Sequence, residues 1–337
     1  MIDIKRSVKV IEGCSPDQIP DEVFASPEPL ILKGLASSWP IVQAGLESNE
    51  SAAEYLLQFY KGQEVLAFLG KPENNGRIFY DEKMTGFNYE TVNTKLDFAL
   101  RQFALHKDNP HPPSIYIGST SVDNYLPGFR ADNDLGLGQH NPMVSIWISN
   151  KCRIAAHWDS PLNIACSVVG HRRFTLFPFE QMENLYVGPL DKTPAGQAIS
   201  LVDFYNPDFE KYPKFKQALE HAQVADLEPG DGIFIPSMWW HHVESLSSLN
   251  MLVNYWFKWT PLFFGKPVNA LFDAVLSLRD LPPEQRAAWK MIFDHYIFDY
   301  KKENFAHIPD EAQGAIGELT DDNARKIRAR LLNQLNR

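Results

Sequence analysis

Cysteine is scarce in this sequence, which has three, Cys14, Cys152 and Cys166, among 337 residues. Their number is odd and none forms a CxxC pair, so the sequence predicts neither a disulfide framework nor a structural zinc site. No stretch approaches the roughly 20 apolar residues that a membrane-spanning helix needs, and the first residues lead into no apolar run of signal-peptide length. We therefore expect a soluble cytoplasmic protein with reduced thiols.

Positive charge is also limited, because 32 lysines and arginines face 42 aspartates and glutamates, which gives a formal net charge of −10. An acidic chain is not attracted to phosphate backbones or anionic lipid, so neither nucleic acid nor a membrane is an expected partner. Hydrophobic residues make up 44% and charged residues 22%, which is ordinary globular usage and allows a sizeable core.

The chain divides into three regions, residues 1–110, 111–260 and 261–337. The first mixes strand and helix signals and is predicted to be an α/β extension that packs on the second. The second carries many short β-type runs separated by turn signals, with one long insert at 191–223, and this pattern indicates an antiparallel barrel or jelly roll. The predicted fold class is therefore mainly β with added helices. We predict strands at 29–32, 65–69, 114–118, 143–149, 173–177, 231–236 and 250–259.

The third region has helical periodicity. Trp289, Ile292, Phe293, Tyr296 and Tyr300 recur at the spacing of one helix face, and a threonine before the last apolar series is a candidate N-cap. Such broad apolar faces must be covered, either by packing on the barrel or by pairing with a second copy of the chain. Of the two, we expect a homodimer through this region.

The segment His157-Trp158-Asp159 is the first candidate for a metal site. On a strand, residues two apart point to the same side, so an imidazole and a carboxylate would face one point. A His-x-Asp pattern is common by chance, and it is weak evidence alone.

A second segment supports the first. Pro229-Gly230-Asp231 predicts a turn, a buried strand follows, and the chain continues into Trp239-Trp240-His241-His242. A histidine just after a buried strand suits a ligand at the mouth of a barrel. Two histidines and one carboxylate form the facial triad of non-haem Fe(II) oxygenases, although the same ligands accept other divalent metals. Adjacent strand residues face opposite ways, so only one of His241 and His242 should reach the metal, and the other would be a core histidine.

The order of motifs resembles the cupin-like JmjC proteins, and among them the asparaginyl hydroxylases of the kind that inhibits hypoxia-inducible factor. The resemblance covers residues 25–260. The motifs that carry it are His157-x-Asp159, Asn163, Gly170-His171-Arg172-Arg173-Phe174-Thr175-Leu176-Phe177-Pro178, Leu185-Tyr186, Val202-Asp203, Asn206-Pro207-Asp208, Pro213-x-Phe215, Pro229-Gly230-Asp231 and Trp239-Trp240-His241. It implies a double-stranded β-helix and an Fe(II)- and 2-oxoglutarate-dependent dioxygenase that hydroxylates a protein side chain or a small molecule.

The resemblance also implies the site residues. His157, Asp159 and His241 match the iron ligands, and no catalytic residue is implied beyond them. The cosubstrate pocket is matched by Tyr116, Asn163, Arg172, Asn254 and Trp256. Arg172 stands where the family commonly has lysine, with Arg173 as the alternative anchor, and Ile154 replaces a threonine. A guanidinium binds a carboxylate bidentately, so the function would survive the change.

Two other functions remain open. One is a metal-dependent cupin of other chemistry, such as an isomerase or a dioxygenase that uses no 2-oxoglutarate; such proteins often have more histidines and a glutamate at the metal. The other is a non-catalytic binding protein. For an oxygenase, the site must be dry. The aromatic residues that we predict to line it are Trp147, Trp158, Phe174, Trp240 and Trp256, and residues 118–141 and 191–223 are candidate substrate-contacting segments.

Overall fold

The computed structural model describes residue 2 and residues 4–261 and 263–336. The chain divides into two compact units, Met1–Lys258 and Trp259–Arg337. Within the described residues, no helix combines the length and the apolar character needed to cross a membrane.

The first unit is built on two β-sheets. Its strands are β1 (Arg6–Ser7), β2 (Lys9–Ile11), β3 (Leu30–Leu32), β4 (Glu64–Gly70), β5 (Arg77–Ile78), β6 (Tyr89–Lys95), β7 (Ser114–Ser121), β8 (Met143–Ser149), β9 (Arg153–Trp158), β10 (Leu162–Val169), β11 (Arg172–Phe177), β12 (Gln223–Leu227), β13 (Gly232–Ile235), β14 (Trp240–Ser245) and β15 (Asn250–Phe257). A six-stranded sheet has the order β1-β12-β11-β14-β9-β5, and a nine-stranded sheet has the order β2-β3-β13-β10-β15-β8-β7-β4-β6. From β8 to β11, and again from β12 to β15, consecutive strands alternate between the two sheets, as in a jelly roll.

The helices are α1 (Asp21–Phe24), α2 (Pro40–Glu47), α3 (Asn49–Leu57), α4 (Leu96–Leu105), α5 (Val122–Tyr125), α6 (Phe215–His221), α7 (Pro267–Ser277), α8 (Pro283–Phe293) and α9 (Asp321–Leu335). The first four, with the segments that join them, contribute Trp39, Ile41, Leu56 and Phe103 to one core cluster with residues of the nine-stranded sheet such as Tyr255. Helices thus cover the outer face of that sheet, and its inner face is left for the second sheet.

A second core cluster lies between the sheets. Phe174 and Leu176 of β11 belong to it together with Ala165, Ile233 and Ile235 of the opposite sheet. The predicted fold class, a mainly β double-stranded β-helix with added helices, is confirmed.

The strands of the N-terminal part join the two sheets rather than forming a sheet of their own. β2 and β3 extend one end of the nine-stranded sheet beside β13, and β4 and β6 extend the other end beside β7. The extension at the second end matters for the site, because β4 lies next to a strand whose inner face lines the cavity described below.

The second unit is helical. Thr320 caps α9, since its side chain accepts a hydrogen bond from the Asn323 backbone N–H. Several large apolar side chains are exposed, among them Leu276, Met291, Phe298 and Leu332. The homodimer interface expected from such faces stays a prediction.

The turn between β10 and β11 depends on Gly170. Its φ is +74°, and a Cβ built there would lie 2.4 Å from the Leu249 carbonyl oxygen. We expect Gly170→Ala to lower the free energy of unfolding by several kcal/mol, because the left-handed conformation alone costs about 1–2 kcal/mol for an L-residue and the backbone overlap adds to it. Urea denaturation measures the change.

Gly196 provides the matched control, since its φ is +77° but nothing lies within 4 Å of its built Cβ. Gly196→Ala should cost about 1–2 kcal/mol, the conformational cost alone. Equal losses for the two variants would show that crowding at Gly170 contributes nothing.

Candidate metal centre and cavity

Strand pairing brings the two candidate histidine ligands together. β9 and β14 are antiparallel neighbours in which His157 pairs with His241, and the two ring centroids are 4.3 Å apart. Asp159 follows directly after β9, with its Oδ2 3.6 Å from His241 Nε2. The ligand atoms of these three residues all lie within 4.8 Å of one another, which is compact enough for one metal ion.

Two details of the sequence prediction are wrong. Asp159 lies one residue past the end of β9 rather than on the strand, and His241 is the second residue of β14 rather than a residue just after a strand. The position of the aspartate is therefore set by the turn that follows β9, whereas the positions of the two histidines are set by the pairing of β9 with β14.

Each histidine is oriented by its own strand. His157 Nδ1 is 2.9 Å from the Ala155 carbonyl oxygen, and His241 Nδ1 is 3.0 Å from the Trp239 carbonyl oxygen. A carbonyl only accepts, so both Nδ1 atoms carry the proton and both Nε2 atoms are left with a lone pair. Burial, and then the neighbouring His157, lower the pKa of His241 to about 4, so its ring is neutral at physiological pH.

His242 faces the other side of the sheet. Its ring stacks on Phe204 at a centroid distance of 4.6 Å, and its Nδ1 is 3.7 Å from Glu244 Oε1. Of the two adjacent histidines, His241 is therefore the one that the structure brings to His157 and Asp159, and His242 is a core residue.

A cavity of about 360 Å³ lies between the two sheets and contains the triad. The nine-stranded sheet supplies one wall and the six-stranded sheet the other. The side chains of the first wall include Phe68, Tyr116, Trp147, Asn163, Asn254 and Trp256. Those of the second wall include Ile154, His157, Arg172, Phe174, His241 and Val243. Every predicted metal and cosubstrate residue thus lines one cavity.

Arg172 is the most unusual of them. It is only 3% exposed, yet its Nε and Nη2 have no hydrogen-bond partner among the described residues. Burial lowers its pKa to about 10, with Tyr116 and Cys152 acting in the opposite direction, so the guanidinium remains charged. A buried charge without a counter-ion is costly, and such a group in a cavity indicates an anionic ligand.

Arg173, the alternative anchor, lies elsewhere. Its Nε is 2.6 Å from Asp226 Oδ1, across the ladder that joins β11 to β12. The alternation of β11 therefore directs Arg172 into the cavity and Arg173 away from it.

The two predicted asparagines form a short chain of hydrogen bonds. Trp147 Nε1 donates to Asn254 Oδ1 at 2.7 Å, and Asn254 Nδ2 donates to Asn163 Oδ1 at 3.2 Å. The indole thus fixes which way each amide points. Trp256 Nε1 is buried and has no partner in the part of the chain that the structure describes.

Of the five aromatic residues predicted to line the site, three do so. Trp147, Phe174 and Trp256 line the cavity, whereas Trp158 and Trp240 do not. These two alternate with His157 and His241 along their strands, so they face the opposite side, where Trp240 belongs to a separate core cluster.

Two residues that line the cavity, Leu66 and Phe68, were not among the predicted site residues. The insert at 191–223 does reach the cavity, through residues 194–196. Residues 118–141 reach it at 118–120 and 125, but much of this segment is packed in the core, since Phe129 and Leu135 are buried. The strand β4 showed only a short apolar run, which gives no sign of which side chains face a ligand.

Comparison with known proteins settles the family. The cupin-like domain family matches residues 16–262. The chain belongs to this family. The resemblance to cupin-like JmjC proteins is confirmed, since the cupin-like family model and relatives that carry the JmjC name both match this chain.

The relatives differ in how much they share. Human HSPB1-associated protein 1 is 32% identical over 267 residues, which are 74% of this chain and 51% of that protein. JmjC domain-containing protein F of Dictyostelium discoideum is 37% identical over 124 residues, 33% of this chain and 26% of its own. Lysine-specific demethylase JMJ31 of Arabidopsis thaliana is 30% identical over 116 residues, 34% of this chain and 21% of its own. The chain spans at most about half the length of these curated relatives.

The buried His242 predicts a pH dependence of stability. Burial, and then Arg153, hold its pKa at about 3, against 6.5 ordinarily. The stability that this neutral ring contributes is complete above pH 6.5 and is lost as the pH falls towards 3, because the unfolded chain binds the proton first. The slope is up to about 1.4 kcal/mol per pH unit for one histidine. His242→Phe keeps a ring against Phe204, so we expect urea unfolding of the metal-free variant to depend less steeply on pH in this window. An unchanged slope would mean that His242 is protonated in the folded protein.

Proposed function

We propose that this protein is an Fe(II)- and 2-oxoglutarate-dependent dioxygenase that hydroxylates a protein side chain or a small molecule. One observation carries the proposal: a compact His-Asp-His group and a buried arginine with unpartnered nitrogens share one cavity. The first suits a metal and the second suits a carboxylate, and this enzyme class needs both.

His157, Asp159 and His241 would hold the iron. Their donor set is the two-histidine, one-carboxylate triad that leaves open positions on an octahedral metal. When bound, iron with 2-oxoglutarate supplies the oxidising chemistry, in which the cosubstrate is decarboxylated to succinate. The chain contributes Nε2 lone pairs that the Ala155 and Trp239 carbonyls keep directed away from the strand.

Arg172 would hold the far carboxylate of 2-oxoglutarate. A carboxylate satisfies its two unpartnered nitrogens at once, and a bidentate pair fixes the direction of the ligand. Tyr116 is buried beside it, and burial raises the pKa of its phenol, so the hydroxyl stays protonated and able to donate. Asn163, Asn254 and Trp256 supply further polar atoms on the facing wall.

The walls exclude water from the reacting group. Ile154, Phe174 and Val243 on one side face Phe68 and Trp147 on the other. A dry cavity would limit side reactions of the chemistry that the iron and cosubstrate would supply. No acid–base group is required beyond the metal ligands.

Among the described lining residues, His157 and His241 are the only histidines and Asp159 is the only carboxylate. Cupins of other chemistry often surround the metal with additional histidines and a glutamate, so the lining favours the oxygenase. Demethylation of a methylated amine is the second candidate, since one relative is named a lysine-specific demethylase. It would proceed by the same hydroxylation, at a methyl group next to nitrogen.

The iron and cosubstrate proposal predicts a spectroscopic signature. Anaerobic addition of 2-oxoglutarate to the Fe(II)-loaded protein should produce a metal-to-ligand charge-transfer band in the visible region. His157→Ala should abolish the band, because a ligand is lost. Arg172→Met should raise the concentration of 2-oxoglutarate needed for half-saturation by about tenfold or more, since each lost charge-assisted hydrogen bond is worth about 1.5–3 kcal/mol.

Arg173→Met is the matched control, because Arg173 pairs with Asp226 outside the cavity, and its titration should equal that of the wild type. Iron binding without a band in the wild type would contradict the proposal and would favour another cupin chemistry or a binding role.

A further inference from the structure

The formal charges of the side chains that line the cavity sum to zero. Asp159 and Arg172 are its only formally charged residues in the described part of the chain, apart from the two histidines, which are neutral as metal ligands. The two positive charges of a divalent metal ion and the two negative charges of the dicarboxylate cosubstrate would also cancel. The loaded cavity therefore offers no surplus charge to a substrate.

The remaining lining is neutral. It comprises apolar side chains such as Val65, Leu66 and Phe68, and the hydroxyl groups of Ser119, Thr120 and Tyr125. Two of these hydroxyl groups already donate hydrogen bonds within the protein. Ser119 donates to Ser145 Oγ at 2.9 Å, and Thr120 donates to the Gly118 carbonyl oxygen at 3.0 Å. Asp159 is the only carboxylate among the described lining residues. A cationic group that left water for the metal-loaded cavity would therefore find no free carboxylate to replace its hydration.

The aromatic residues of the cavity lining, in the part of the chain that the structure describes, do not form a cage for a cation. Phe68 and Tyr116 are stacked with centroids 5.8 Å apart, Tyr116 and Trp147 are 6.0 Å apart, and Trp147 meets Trp256 edge to face at 5.6 Å. These rings stand side by side on the nine-stranded sheet, so they present one wall. A cation–π site needs ring faces directed at the cation, and here the rings are largely engaged with each other.

We infer that the substrate group which enters the cavity is uncharged: an apolar or amide-bearing side chain, or a neutral small molecule, and not a methylated ammonium. This inference deepens the proposed function and rests on it for the reaction. It favours hydroxylation over demethylation as the outcome of the same chemistry.

A pair of probes that differ only in charge tests the inference. One is Nα-acetyl-trimethyllysine methylamide, and the other is its isostere with carbon in place of the quaternary nitrogen. Binding of each to the full chain loaded with Zn(II) and 2-oxoglutarate is measured by ligand-observed NMR, because Asp159 would be a free carboxylate in the metal-free chain. We expect the neutral isostere to bind about tenfold tighter or more, because the cation loses hydration without a counter-ion. Equal or tighter binding of the cation would overturn the inference, and so would failure of the isostere to bind at all.

A substitution at Leu66 can introduce the free carboxylate that a cationic substrate would need. It lines the cavity and is 47% exposed, so a polar side chain is tolerated there. Leu66→Glu should bind the trimethyllysine probe several-fold tighter than Leu66→Gln does, whereas the isostere should not distinguish the two variants. If Leu66→Glu gains nothing for the cation, lack of a counter-charge does not explain the preference and the inference falls.

The outcomes separate this inference from the proposed function. Binding to the Zn(II)-loaded chain reports the charge preference of the cavity, while the anaerobic titration reports the binding of iron and cosubstrate. A charge-transfer band with cation preference would keep the oxygenase and overturn the neutral substrate. Tighter binding of the isostere without a charge-transfer band would keep the neutral substrate and overturn the oxygenase.

Discussion

The antiparallel pairing of β9 with β14 is the interaction on which the site depends. It places His157 opposite His241 and, one residue along, Trp158 opposite Trp240. A slip of one residue would exchange the faces of one strand, which would bury an imidazole in the outer core and turn an indole into the cavity. The buried Trp240, packed with Phe177 and Phe204, therefore protects the register of the metal ligands from the opposite side of the sheet.

The sequence predicts the parts of this protein whose signal is local. The strands at 143–149, 173–177 and 231–236 are observed to within one or two residues, and the order of motifs identified the family. β10 was missed because its residues are buried on both faces, so it lacks the alternation that marks a half-exposed strand. Leu66 and Phe68 were missed for another reason: their role depends on which distant strand β4 pairs with.

Arginine at position 172 changes the electrostatics of the pocket in a way that lysine would not. A lysine buried without a counter-ion has its pKa lowered until it becomes neutral. A guanidinium keeps its charge, since burial lowers its pKa only to about 10. The guanidinium of Arg172 is therefore charged in the empty pocket, and the cost of burying it without a hydrogen-bond partner at Nε and Nη2 among the described residues remains until a carboxylate binds.

The bonds from His157 and His241 to carbonyls two residues earlier on their own strands have a consequence for metal choice. Because each ring is held by backbone that the sheet already fixes, the ligands need little rearrangement to accept an ion. A site prepared in this way distinguishes poorly between divalent ions of similar size, which otherwise follow their intrinsic order of affinity. The metal that occupies the site then depends on which ion is abundant and exchangeable where the chain folds.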